Sequence, residues 1–180
     1  MAHSLVMAVG DARDGGRSQE PSSGSGSVWS RPQDWQDRKS TAACPICRDG
    51  GPTNVLVEFA ASVACAGPSA PLPGYVCMVA RRHVVEPFEL PGLELRQFWD
   101  EAMLVARALN TLFTPAKINY EIHGNTMPHL HMHLHPRFAG DPYVGGPISW
   151  RASFDRSPQD RQAIADAIRR EQTATVESQR

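Results

Sequence analysis

The segment from His129 to His135 reads His-Leu-His-Met-His-Leu-His and runs into Pro136-Arg137. Four of the chain's seven histidines therefore stand at every second position, with apolar residues between them. A repeat of two is the period of a β-strand. As a strand, the segment turns Leu130, Met132 and Leu134 toward a core and gathers four imidazoles on the opposite face. It is a half-buried strand that carries titratable nitrogens on its second side.

At 180 residues the chain suits one domain with tails and is long enough to bury an ordinary core. The formal net charge is −1, with acids and bases interspersed, so neither a basic nucleic-acid surface nor an electrostatic membrane anchor is indicated. No apolar run reaches membrane-span length, and the hydrophobic stretch at the N-terminus is short and broken by Gly and Asp. A cytoplasmic protein is expected. Two of the four cysteines form Cys44-Pro45-Ile46-Cys47, which in that setting favours a metal site or reduced thiols over a disulfide framework. Cys65 and Cys77 read as small buried hydrophobes.

Along the chain, residues 1–27 have the Gly-, Ser- and charge-rich composition of a disordered tail. Residues 28–43 form an arm in which Trp29 and Trp35 can pin a helical turn to the domain. The folded domain spans 44–150. Short β-rich runs over Asn54–Ala60 and Ser62–Cys65 predict a hairpin, and Gly67–Gly74 a breaker-rich loop. Tyr75–Ala80 reads as a central strand. From Leu93 to Phe113 the apolar residues recur at helical spacing, predicting one long helix stopped by Pro115. Such a stripe is core packing rather than a ligand surface. Lys117–Ile122 resumes strand character, Gly124-Asn125 turns the chain into the histidine strand, and the segment to Pro147 is loop. A C-terminal extension, 151–180, carries a final helix from Ser157-Pro158 to about Glu171.

An imidazole is a competent nucleophile toward phosphorus at neutral pH, because its pKa leaves an unprotonated nitrogen available. A row spaced by two lets one ring attack while a neighbour donates a proton. Histidine is equally a metal ligand, and a packed histidine face is the third reading of the same spacing.

With its flanks, Asn119-Tyr-Glu-Ile-His-Gly-Asn-Thr-Met-Pro-His-Leu-His-Met-His-Leu-His-Pro-Arg137 resembles the histidine-triad superfamily, whose motif is His-φ-His-φ-His-φ-φ with φ apolar. The match sets the triad on His129, His131 and His133. The run Pro73-Gly-Tyr-Val-Cys-Met-Val-Ala-Arg-Arg-His-Val84 resembles that family's strand leading into a basic turn, and Cys44/Cys47 its N-terminal cysteine pair. The resemblance covers roughly Cys44 to Arg137. It implies an α+β fold, a mostly antiparallel sheet with one long helix between its strands, followed here by the C-terminal helix, and assembly as a homodimer.

It also implies roles. His131 would attack the α-phosphorus of a nucleotide and form a covalent nucleotidyl-histidine. His133 would bond the phosphate or protonate the leaving group, and its backbone carbonyl would hold the Nδ1 proton of His131. Asn119 and Thr126 resemble positions that contact the nucleotide or its phosphate, and Asn125, also taken as substrate-binding, stands where many members carry Gln. In zinc-bearing branches of the family the cysteine pair is joined by the histidine of the basic turn, here His83, and the first triad histidine, here His129. That gives a Cys₂His₂ set for a structural zinc; the other reading leaves reduced thiols and a His83 bonded to a carbonyl. Departures are His135 in place of an aliphatic residue, read as a solvated strand-end histidine, Tyr75 where histidine is usual, and Gly67 or its neighbours where an acid for the ribose is usual. Arg81, Arg82 and Arg137 read as solvated cations rather than polyphosphate ligands.

The expectation is a hydrolase or transferase that cleaves a nucleotide phosphoanhydride or phosphoramidate bond, with dinucleoside polyphosphates and nucleoside phosphoramidates as leading substrates. The alternatives are nucleotidyl transfer to a sugar phosphate, and a zinc-stabilised nucleotide-binding module without turnover.

Overall fold

The computed structural model describes residues 32–143, 145–148 and 153–178; the expected tail over 1–27 and Trp29 lie outside the described residues. In chain order the elements are α1 (Pro32–Arg38), α2 (Pro45–Arg48), β1 (Val55–Glu58), β2 (Ser62–Cys65), β3 (Ser69–Ala70), β4 (Val76–Ala80), α3 (Gly92–Phe113), β5 (Lys117–Glu121), β6 (His131–Arg137), β7 (Phe154–Asp155) and α4 (Pro158–Ser178). Five strands form one antiparallel sheet in the order β1-β2-β4-β6-β5, and β3 pairs with β7 in a separate two-stranded ribbon. This is the expected α+β architecture, with the long helix between β4 and β5.

The period of two decides how β6 sits. Met132 and Leu134 are fully buried, and with Leu130 they join Met78 and Val76 of β4 in a core that α3 covers with Phe98, Ala102, Val105 and Leu109. The 22-residue α3 ends where Thr114 takes a left-handed conformation, φ 46°, and Pro115 follows. The final helix runs on to Ser178, past the expected Glu171. Ser157 and Asp160 cap its start reciprocally: the Ser157 Oγ accepts from the Asp160 N–H at 3.1 Å, and the Asp160 carboxylate accepts from the Ser157 N–H at 2.9 Å. Its buried Ile164, Ala165, Ala167 and Ile168 enter the same core as α3.

Two differences from the sequence reading bear on the site. The four histidines do not all lie on the strand, because β6 begins at His131 and His129 precedes it in a bend. Leu130 still continues the core face, but the chain at His129 is free to turn its ring elsewhere. The loop over Gly67–Gly74 is not structureless: Ser69–Ala70 pairs with Phe154–Asp155, and Arg156 donates to the carbonyls of Gly67 and Tyr75 at 3.1 and 2.6 Å. The loop ends at Gly74, where φ is +74° and an added Cβ would come within 2.7 Å of the Phe113 ring, which disfavours any side chain. That turn delivers Tyr75 to the start of β4. Among the described residues no helix is long and apolar enough to cross a membrane.

Candidate functional site

The open face of the sheet carries a cleft of about 480 Å³ lined by His131, His133 and His135 of β6, Glu121 of β5, and the turn from His123 through Met127. Cys65 and Cys77, cross-strand partners on β2 and β4, complete its wall with Ile46 and Val79. Asn125 and Thr126 line this cleft. Asn119 does not: it pairs with His135 in register but lines a neighbouring depression with Lys117 and Arg137. Cys65 is buried, whereas Cys77 is half-buried at the cleft wall, and burial pushes their thiols up to about 11 and about 12.

His131 Nδ1 lies 2.6 Å from the backbone carbonyl of His129. A carbonyl only accepts, so Nδ1 carries the proton and Nε2 of the neutral ring keeps its lone pair. The expected holder of that proton was the carbonyl of His133. It is His129 instead, because His133 sits within β6 between two paired strands, while the bend before the strand turns the His129 carbonyl toward the ring of His131. The His131 and His133 rings meet edge to face at 4.9 Å.

His133 is held from behind by Tyr75, whose hydroxyl lies 2.8 Å from His133 Nδ1. Burial, with the neighbouring imidazoles adding to it, pushes the His133 pKa down to about 3. His135 is not the solvated histidine that the sequence suggested. It is 1% exposed, because β6 continues in pairing with β5 as far as Arg137 and the Tyr75 ring stacks on it at 4.8 Å. Its pKa falls to about 4, chiefly by burial, and its Nδ1 has no hydrogen-bond partner among the described residues.

Glu121 and His123 are cleft residues that sequence reasoning missed. Glu121 faces His133 across the β5–β6 pair and binds His123 Nε2 at 3.0 Å. Burial opposes its ionisation, but hydrogen bonds from His123, Asn119 and the Ile148 backbone hold its pKa below the usual carboxylate range. Counting two from Asn119 along β5 reaches Glu121, so the signal was there once the register was known. Arg137, expected to be solvated, is largely buried and tied bidentately to Asp141 at 2.8 Å, with a further bond to the Tyr143 carbonyl. Arg81 and Arg82 pair with Glu58 and Glu94 at the surface.

The second cluster lies at the start of β6. His129 turns away from the cleft toward Cys44, Cys47 and His83, whose donor atoms all lie within 4.8 Å of one another. The separations are 3.5 Å from Cys44 Sγ to His129 Nδ1, 3.6 Å from Cys47 Sγ to the same nitrogen, 3.3 Å from Cys47 Sγ to His83 Nδ1, and 3.3 Å between the two Nδ1 atoms. A tetrahedral zinc with ordinary bond lengths sets its ligands about 3.3 Å apart for two nitrogens and about 3.6 Å for sulfur and nitrogen. The fit is close. Each imidazole also donates its Nε2–H to a carbonyl at 2.8 Å, His129 to Ala80 and His83 to Lys39, the arrangement that turns Nδ1 toward a metal. His83 thus bonds a carbonyl through Nε2 and faces the cysteines with Nδ1.

The HIT domain family profile matches residues 49–140, slightly more than half of the chain, and the chain belongs to that family. Among solved structures, a histidine triad protein of Bradyrhizobium japonicum is 27% identical, with a TM-score of 0.58 over 65% of this chain and 88% of its own. A histidine triad protein of Sinorhizobium meliloti is 24% identical, with a TM-score of 0.59 over 65% and 87%. A zinc-bound histidine triad family protein of Mycobacterium smegmatis is 18% identical, with a TM-score of 0.57 over 75% of this chain and 99% of its own. No curated protein matches the chain.

The buried, neutral His135 makes stability depend on pH. Its folded pKa of about 4 lies below the ordinary histidine value of 6.5, so the unfolded chain binds the extra proton. The stability it contributes is full above pH 6.5 and is lost as pH falls toward 4. Thermal melting of His135→Leu between pH 7 and pH 4.5 is expected to lose less stability on acidification than the parent. An equal loss in both would remove His135 from that dependence.

Proposed function

We propose that this chain is a nucleotide hydrolase or transferase that cleaves a phosphoanhydride or phosphoramidate bond at the α-phosphate, through a covalent nucleotidyl intermediate on His131. The observation that carries this reading is the 2.6 Å bond from His131 Nδ1 to the His129 carbonyl, which leaves Nε2 as the nucleophilic nitrogen on a cleft wall. In the first step Nε2 bonds to phosphorus and the bond from phosphorus to the leaving oxygen or nitrogen breaks, the departing atom keeping the electron pair, accepting a hydrogen bond from the His133 N–H and taking up a proton from solvent. In the second, water attacks phosphorus and gives up a proton to solvent, the P–N bond breaks, and the electron pair returns to His131. An acceptor other than water makes the same step a transfer. Asn125 and Thr126, at the mouth of the cleft, are placed to offer neutral hydrogen-bond donors to phosphate oxygens. Asn119 is assigned to the adjoining part of the ligand on the far side of Glu121.

Cys44, Cys47, His83 and His129 are assigned to a structural zinc, which the donor spacing favours and which a family member of the same fold binds. With all four positions filled by protein, such an ion has no place for water and serves to clamp the α2 segment to the basic turn and the start of β6. The homodimer implied by the family resemblance is retained in this reading.

Two measurements test these assignments. Replacing His131 with Ala is expected to abolish nucleoside monophosphate release from a dinucleoside polyphosphate or nucleoside phosphoramidate, a loss of about a thousandfold or more; retained turnover would sink the nucleophile. Metal analysis of untagged protein is expected to find about one zinc per chain, lost in Cys44→Ser, and an equally metal-free parent would remove the zinc.

A further inference from the structure

The nucleophile is oriented by a backbone carbonyl, but nothing in the reaction as written says what orients His133. A neutral imidazole has one proton on two nitrogens, and a ring that must offer an N–H to a leaving group is useless with that proton on the wrong one. The structure supplies a partner on one side of the ring. The Tyr75 hydroxyl lies 2.8 Å from His133 Nδ1. From the geometry we infer that Tyr75 is the positioning residue of His133: its O–H donates to Nδ1 and thereby keeps the imidazole proton on Nε2, where the N–H can donate a hydrogen bond to the leaving group. This deepens the hydrolase reading and rests on it.

The phenol keeps its own proton to give. Burial, with the thiols of Cys77 and Cys65 adding to it, raises the phenol pKa, so the hydroxyl holds its proton. The Tyr75 ring stacks on His135 at 4.8 Å and on His133 at 5.8 Å. His133 stays uncharged, since burial pushes its pKa to about 3. The choice between its two neutral tautomers is therefore the choice between a hydrogen-bond donor and an acceptor.

The phenol is also fixed in place from the backbone upward. Gly74 allows the sharp approach to β4, and the Arg156 guanidinium donates to the Tyr75 carbonyl at 2.6 Å while lying 5.9 Å from the centre of its ring. Arg156 is 5% exposed and holds the two ends of the 67–75 loop together through Gly67 and Tyr75. The segment after β7 thus reaches the site indirectly, through a side chain that touches neither His131 nor His133.

The test is nitrogen NMR of the full chain labelled with ¹⁵N-histidine, as purified, beside the Tyr75→Phe variant, which keeps the ring and removes the hydroxyl. In the parent, His133 is expected to show a protonated Nε2 and a hydrogen-bonded, unprotonated Nδ1. In Tyr75→Phe the two tautomers should mix, and turnover should fall about ten- to a hundredfold for a poor leaving group, with a smaller fall for a good one and KM within about twofold. A purely structural role would change melting temperature and KM without moving the nitrogen signals or the leaving-group dependence. A parent His133 protonated on Nδ1 would overturn the inference, as would a Tyr75→Phe spectrum in which the His133 signals are unmoved. Absence of nucleotide turnover in the parent would defeat the hydrolase reading while leaving the nitrogen signals readable.

Discussion

The hydrogen bond between His131 Nδ1 and the carbonyl of His129 joins the two halves of the molecule's chemistry. It exists because the chain bends at His129 instead of continuing the strand. The same bend sends the His129 ring toward Cys44, Cys47 and His83, and anchors its other nitrogen on the Ala80 carbonyl. One residue therefore uses its side chain for the cysteine-histidine cluster and its backbone for the ring on the cleft wall. Loosening the cluster loosens the carbonyl that sets the tautomer of His131. The orientation of the His131 ring and the α2 segment are linked through His129 for that reason, although the segment's cysteines do not line the cleft.

The sheet provides the rigidity this needs. β6 is flanked by β4 and β5, and its buried face is held by Met132 and Leu134 against α3. A slip of one residue would drive three imidazoles into the core and expose the apolar residues, so the register is specified by burial on one side alone. Within that register Glu121 and Cys77 are fixed as the neighbours of His133 on either side. The rings of β6 then differ by environment rather than by type. His131 is bonded to a carbonyl, His133 to a phenol, and His135 is enclosed with Nδ1 lacking a partner among the described residues.

Much of this was legible because it rests on local periodicity. The alternation of β6, the stripe of α3 and the apolar run of β4 each report one element's own burial pattern, and each stands where that pattern predicts. What escaped depends on pairing between distant segments. The ribbon between Ser69–Ala70 and Phe154–Asp155 is two residues long on each side, too short for any period to show. Glu121 and His123 become cleft residues only when β5 is laid against β6. His135 looked like a strand end because Pro136 and Arg137 follow it, but the pairing continues to Arg137 and Tyr75 stacks over the ring. Tyr75 was noticed as a departure from the family pattern. Its bond to His133 needed the fold.

The account stands or falls on whether His131 becomes covalently attached to phosphorus during turnover. Rapid mixing of the full chain with excess nucleoside phosphoramidate or dinucleoside polyphosphate, followed by an alkaline denaturing quench and intact-mass measurement, tests this directly. The expected result is a chain heavier by one nucleotidyl group, localised by peptide fragmentation to His131 and absent from His131→Ala. Steady turnover with no adduct at any mixing time, or an adduct localised to another residue, would contradict it.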